Sequence, residues 1–195
     1  MAPRSAIART LGILMLLGNL SAASGPAQAQ QLPGVAAKDF AKDDFSFPDD
    51  IDGPGPHLLF LGMAVDKDNG AEQGEALLVW FKALTADGLV PGAARPWHFS
   101  VIEGVPFFAK GFVRSGIAKT YGGLLPPSQG VVLFVDDVRA FAAAAGLTLD
   151  GQPRIVVYTP ERGIIEVFTG AYTPERGAAL AAVLAALPGP AAAVD

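Results

Sequence analysis

The stretch Ala64-Val-Asp-Lys-Asp-Asn-Gly-Ala-Glu-Gln73 gathers Asp66, Asp68, Asn69, Glu72 and Gln73 into one polar loop. Carboxylates this close together can hold a cation or trade protons, so metal and acid–base chemistry are the reactions such a loop could serve. A calcium loop needs acids at its first, third and fifth positions, glycine at the sixth and glutamate at the twelfth. Counted from Asp66, glycine falls at the fifth position (Gly70) and leucine at the twelfth (Leu77), so the frame fails. The stretch reads instead as a polar turn that caps a helix. Asp39, Asp43, Asp44, Asp49, Asp50 and Asp52 form a second acidic run, which reads as a solvated surface.

His57 and His98 are the only histidines, and no His-x-x-x-His or His-x-Glu spacing joins either to a partner. Ser115 and Ser128 lie outside any Gly-x-Ser-x-Gly elbow, and the glycine-rich stretches lack the Gly-Lys-Ser/Thr of a phosphate loop. Cysteine is absent, which excludes thiolate catalysis, cysteine-ligated metal and disulfides. These residues define no catalytic set, no metal site and no cofactor.

The elements that must position the polar loop are readable on both sides of it. "GPGP" at 53–56 is a hard turn, and residues 57–65 form a continuous apolar run of the kind buried on both faces of a sheet. Helical spacing then holds from Ala71 to about Thr85. Trp97, Phe99 and Val101 alternate with His98, Ser100 and Ile102 as a second strand. Residues 104–130 are ambiguous, since "VPFFAKGFVRSGIA" fits a helix or a mobile segment. Residues 131–135 form a short strand, followed by a helix capped by Asp136 or Asp137 and ended by Gly146. Residues 154–159 and 164–169 flank the turn Pro160-Glu-Arg-Gly163 as a hairpin. Thr173 caps a last helix with Pro174 in its first turn, Glu175 near its positive end, and Leu180, Val183, Leu184 and Leu187 on one face.

The N-terminus carries an address. Arg4 and Arg9 precede the apolar run 11–18, and Ala27-Gln-Ala29 supplies a small-x-small cleavage pattern. That succession predicts a signal peptide over 1–29, cleaved after Ala29, and a periplasmic or secreted protein. Residues 30–44 read as a flexible leader, 45–187 as the domain and 188–195 as a tail. Cleavage removes two arginines and leaves 12 basic against 19 acidic residues, a net charge of −7. Such a surface repels phosphate backbones, so nucleic acid is not an expected partner. The apolar run 11–18 falls short of the ~20 residues a spanning helix needs, and no stable membrane insertion is expected after cleavage.

A βαβ unit followed by ββα makes a central mixed sheet flanked by helices, and this order resembles the thioredoxin fold. "FSFPDDIDGPGPHLLFLGMA" is similar to the acidic loop and first strand of extracytoplasmic thioredoxin-like proteins. "LFVDD…FAAAAGL…VVYTPERGIIEVFTG" resembles cysteine-free relatives among mitochondrial ATP-synthase assembly factors. The resemblance implies an α/β thioredoxin-like fold with a cis peptide at Gln152-Pro153. It also places Asn69-Gly-Ala-Glu72 where the Cys-x-x-Cys of a thioredoxin would stand, so the thiol chemistry of that fold is unavailable.

The expected function is a non-catalytic, exported domain that binds an unknown protein partner, as an assembly factor would. Asp66, Asp68, Asn69, Glu72, Gln73, Gln152 and Pro153 are the expected docking residues. Two alternatives stay open: an enzyme using carboxylates, His98 or a metal, and a small-ligand carrier with "VPFFAKGF" lining an apolar pocket.

Overall fold

The computed structural model of the chain describes residues 31–187. The expected signal peptide and C-terminal tail lie outside the described residues. The strands are β1 (Val35–Asp39), β2 (Asp44–Phe47), β3 (His57–Met63), β4 (Arg95–Glu103), β5 (Gly130–Val135), β6 (Arg154–Thr159) and β7 (Gly163–Thr169). The helices are α1 (Lys67–Ala86), α2 (Phe107–Tyr121), α3 (Val138–Ala144) and α4 (Pro174–Ala186). One sheet takes all seven strands in the order β2-β1-β5-β4-β3-β6-β7. The pairs β3–β4 and β4–β5 are parallel, and the remaining neighbours are antiparallel.

The apolar run of β3 has its cause in this order, because a central strand covered on both faces has no wet side. Leu59, Leu61 and Met63 join Trp97, Phe99, Val101, Phe45, Phe47 and Phe141 in one core. Leu58 and Phe60 enter the opposite core with Leu77, Trp80, Phe81, Leu84 and Leu180 of α1 and α4. Trp80 is fully buried, and its indole N–H donates to the Gly170 carbonyl at 2.9 Å, tying α1 to the end of β7.

The β6–β7 hairpin turns at Gly163, whose φ of 70° is the left-handed conformation glycine adopts without strain. Asp137 caps α3 by accepting from the backbone N–H groups of Arg139 and Ala140. Thr173 caps α4 by accepting from the N–H of Arg176.

Two expectations need correction. Residues 30–44 are not a leader throughout: Val35–Asp39 form β1, which pairs with β2 and with β5 through Lys38↔Val132 and Asp39↔Val131. Leu32 is also buried, so the folded unit begins before residue 45. Gln152-Pro153 is not cis; the cis bonds are Phe47-Pro48 and Val90-Pro91. The bend before β6 is made instead by Gly151 at a φ of 73° and by Asp150, whose carboxylate accepts from the Gln152 N–H. Residues 107–121, left open between helix and mobile segment, form α2.

Candidate functional site

Parallel strands β3 and β4 end at the same edge of the sheet, so the β3–α1 and β4–α2 connections leave side by side. Strand β6 begins there too, because it runs antiparallel to β3 and Arg154 pairs with Leu61. The polar loop, the start of α2 and Gln152 therefore share one end of the molecule.

Local chemistry explains the loop. Asp66 is extended and accepts from the Asn69 N–H at 2.8 Å, which caps α1 and starts it at Lys67, four residues before the apolar periodicity begins. Asn69 donates from Nδ2 to the Gly151 carbonyl at 2.8 Å, joining this loop to the one before β6. Gln73 is 2% exposed. Its Oε1 accepts from the Met63 N–H at 3.0 Å, and its Nε2 donates to the Met63 carbonyl at 2.9 Å and to Asn69 Oδ1 at 2.7 Å.

The expected docking residues thus divide. Asp66, Asp68, Glu72 and Gln152 are exposed at one edge, Asn69 is half-buried, and Gln73 and Pro153 are buried. Gln73 and Pro153 cannot meet a partner there. Beneath Gln152, the nearly buried Arg154 donates to the carbonyls of Thr148 and Gln152 and pairs with Asp150 at 2.9 Å. It holds the second loop as Asn69 holds the first. Replacing Asp66, Asp68 and Glu72 together with alanine should cost about 1 kcal/mol, nearly all from the lost Asp66 cap. Urea unfolding measures this, and the Asp66→Ala single variant should account for most of it.

The acidic run is likewise structural where the geometry is visible. Asp39 accepts from the Asp43 N–H at 2.9 Å within the β1–β2 turn, Asp44 pairs with Lys38 at 2.6 Å, and Asp50 accepts from the Ser46 N–H. Among the described residues, no three His, Asp or Glu side chains gather as a metal ligand set.

The two histidines face opposite cores and cannot converge. His57 lies on the Trp97 side, where its Nδ1 accepts from the Trp97 indole N–H at 3.2 Å. His98 lies on the other side, its ring stacked on Tyr121 with centroids 3.7 Å apart. Its Nε2 is 2.9 Å from Ser100 Oγ, and its Nδ1 is buried with no partner among the described residues. Burial pushes the His98 pKa down to about 3 and raises that of Tyr121, so both are neutral at physiological pH.

His98 and Ser100 are part of the lining of a cleft of about 690 Å³ between α1 and α2 over β4. Its other walls include Leu77 and Leu78 of α1 and Val113 and Ile117 of α2. The stretch "VPFFAKGF" does not line an apolar pocket as expected: only Val105 reaches this cleft, while Phe107, Phe108 and Phe112 point to solvent at 90%, 87% and 84% exposure. Phe108 and Phe112 are one turn apart on a single face. Helix α2 is thus apolar on both sides, which is why its period was hard to read. The cleft and the phenylalanine face have no motif, and only the alternation of β4 pointed toward His98.

No family model matches the chain, and no curated protein is significantly similar to it. Solved structures are similar in fold. A protein of Aquifex aeolicus VF5 described as an electron transfer protein aligns with a TM-score of 0.53 and 14% identity, over 81% of this chain and 96% of that one. Yeast Sco1 with copper bound aligns with a TM-score of 0.51 and 11% identity, over 80% of this chain and 94% of that one. The fold is thioredoxin-like, a mixed seven-stranded sheet flanked by helices, built here without a cysteine.

Proposed function

We propose that this chain is an exported thioredoxin-like domain that works by docking another protein, with no thiol redox step. The observation that carries the reading is the exposed phenylalanine face of α2, which begins at the same edge as the loop carrying Asp66, Asp68 and Glu72. Apolar side chains grouped in the open mark interaction surfaces more often than isolated ones do. The neighbouring acids would set partner choice and encounter rate. Export rests on the succession of Arg4, Arg9, the apolar run 11–18 and Ala27-Gln-Ala29. The assembly-factor role draws on likeness in sequence order alone.

The test is crosslinking capture in the native envelope, repeated with variants. Phe107, Phe108 and Phe112 changed together to serine should reduce capture at least tenfold. Their exposure predicts stability within about 0.5 kcal/mol per site. The hairpin variant Glu161→Ala, Arg162→Ala, Glu166→Ala should capture as well as the unaltered protein. Equal capture by the phenylalanine and hairpin variants would remove the face from consideration.

A second reading, a small-ligand carrier, is favoured by the cleft, whose size lies within the range of ligand pockets.

A further inference from the structure

The cleft has a definite chemistry along its length. Strand β4 crosses its floor from His98 to Glu103, a distance of about 16 Å at ~3.3 Å per residue. The inner part holds His98 and Ser100 beneath Tyr121, and the outer part is bordered by Asp66, Lys67 and Glu103. Between them the walls are leucine, isoleucine and valine.

Three features select the ligand. The apolar walls favour a hydrocarbon body. The lining carries Asp66 and Glu75 against a single cation, Lys67, the Glu103 carboxylate being turned to the Val138 N–H at 2.7 Å, and this balance opposes an anion. A cation is opposed within, because an ammonium in an apolar cleft beside a neutral imidazole would lose its hydration without a counter-charge. What the interior does offer is the half-buried hydroxyl of Ser100, held 2.9 Å from His98 Nε2, while the His98 Nδ1 is buried out of a ligand's reach. Whether the Ser100 hydroxyl donates to Nε2 or accepts from it depends on the tautomer of His98, and a ligand hydroxyl can answer it in either case.

We infer that this cleft binds an uncharged, lipid-like alcohol, with its hydrocarbon body between α1 and α2 and its hydroxyl at the His98–Ser100 pair. The inference rests on the carrier reading and narrows it to one ligand class. It does not depend on partner docking.

The test uses the full chain and a neutral fluorescent probe, N-phenyl-1-naphthylamine, displaced by 1-dodecanol, dodecanoate or dodecylammonium. Dodecanol should displace the probe at roughly tenfold lower concentration than either ion. Ser100→Ala should weaken dodecanol three- to tenfold, the value of one hydrogen bond. Ile117→Trp and Leu78→Trp, which fill the cleft from opposite walls, should each abolish probe binding. A circular dichroism melt identifies either variant that does not fold, and the other then decides. Preferential binding of dodecanoate or dodecylammonium would overturn the ligand class and leave the carrier reading standing. Failure of the probe to bind the unaltered chain, with no displacement by any of the three, would remove both. Undiminished binding to both filled variants would place the probe outside the cleft, on a surface such as the α2 phenylalanines, and would overturn the inference.

Discussion

The protein should lose stability steeply as the pH falls from about 6.5 toward 4.5, before its carboxylates are protonated. The cause is His98, whose pKa burial lowers from 6.5 to about 3. Between those values the unfolded chain binds a proton that the folded chain refuses. Stability therefore rises with pH across this window and falls on acidification, by about 1.4 kcal/mol per pH unit where the difference is complete. Among the described residues no charge stands near enough to soften this: the ring faces Tyr121 at 3.7 Å, Phe40 at 6.1 Å and the Ser100 hydroxyl. His57 is also lowered, mainly by burial, and adds loss of the same sign. Asp44, Asp150 and Glu175 are lowered as well, but their contributions fade only as the pH drops below their ordinary values of 3.8 to 4.5. The interval above 4.5 belongs to the histidines. Urea unfolding at pH 7, 6, 5 and 4 should show the decline, and His98→Leu should flatten most of it. A variant as acid-sensitive as the unaltered protein would show that His98 is not the group responsible.

Such a prediction needs coordinates, because the sequence shows which residues alternate and not what surrounds them. Elements stabilised locally were legible. The β6–β7 hairpin carries its own glycine turn, α4 its own Thr173 cap and Pro174, and β3 an apolar run that only a central strand explains. Strand β1 was not legible. Val-Ala-Ala-Lys-Asp has little strand preference of its own, and its place depends on hydrogen bonds to β2 and to the distant β5. Helix α2 defeated the periodicity because Phe107, Phe108 and Phe112 put apolar residues where solvent is. The cis expectation at Gln152-Pro153 came from the resemblance, whereas this chain turns there through Asp150 and Gly151. At the loop, residue type alone does not separate the roles, because an amide able to recognise a partner is equally able to end a strand, as Gln73 does.

Gln73 makes that last point measurable. The β3–β6 pairing extends to Leu61↔Arg154, so Met63 lies beyond the last residue of β6 that could serve it. The side-chain amide of Gln73 takes the place of a strand: one oxygen for the Met63 N–H, one nitrogen for its carbonyl. Gln73→Leu keeps the volume and removes both partners, leaving a buried donor and a buried acceptor unsatisfied. Each such group costs ~1–3 kcal/mol, so the variant should be destabilised by about 3 kcal/mol. That is a large share of the ~5–15 kcal/mol that holds a domain together. Hydrogen exchange should place the damage: the Met63 amide loses protection, and Asn69, deprived of the Gln73 bond at 2.7 Å, holds Gly151 less firmly. A variant within 0.5 kcal/mol of the unaltered protein, with the Met63 amide still protected, would show that Gln73 does not serve the end of β3. With the expected loss, Asn69 and Gln73 are the frame that holds the β3–α1 loop against Gly151, and of that loop Asp66, Asp68 and Glu72 remain as the exposed side chains of the proposed docking edge.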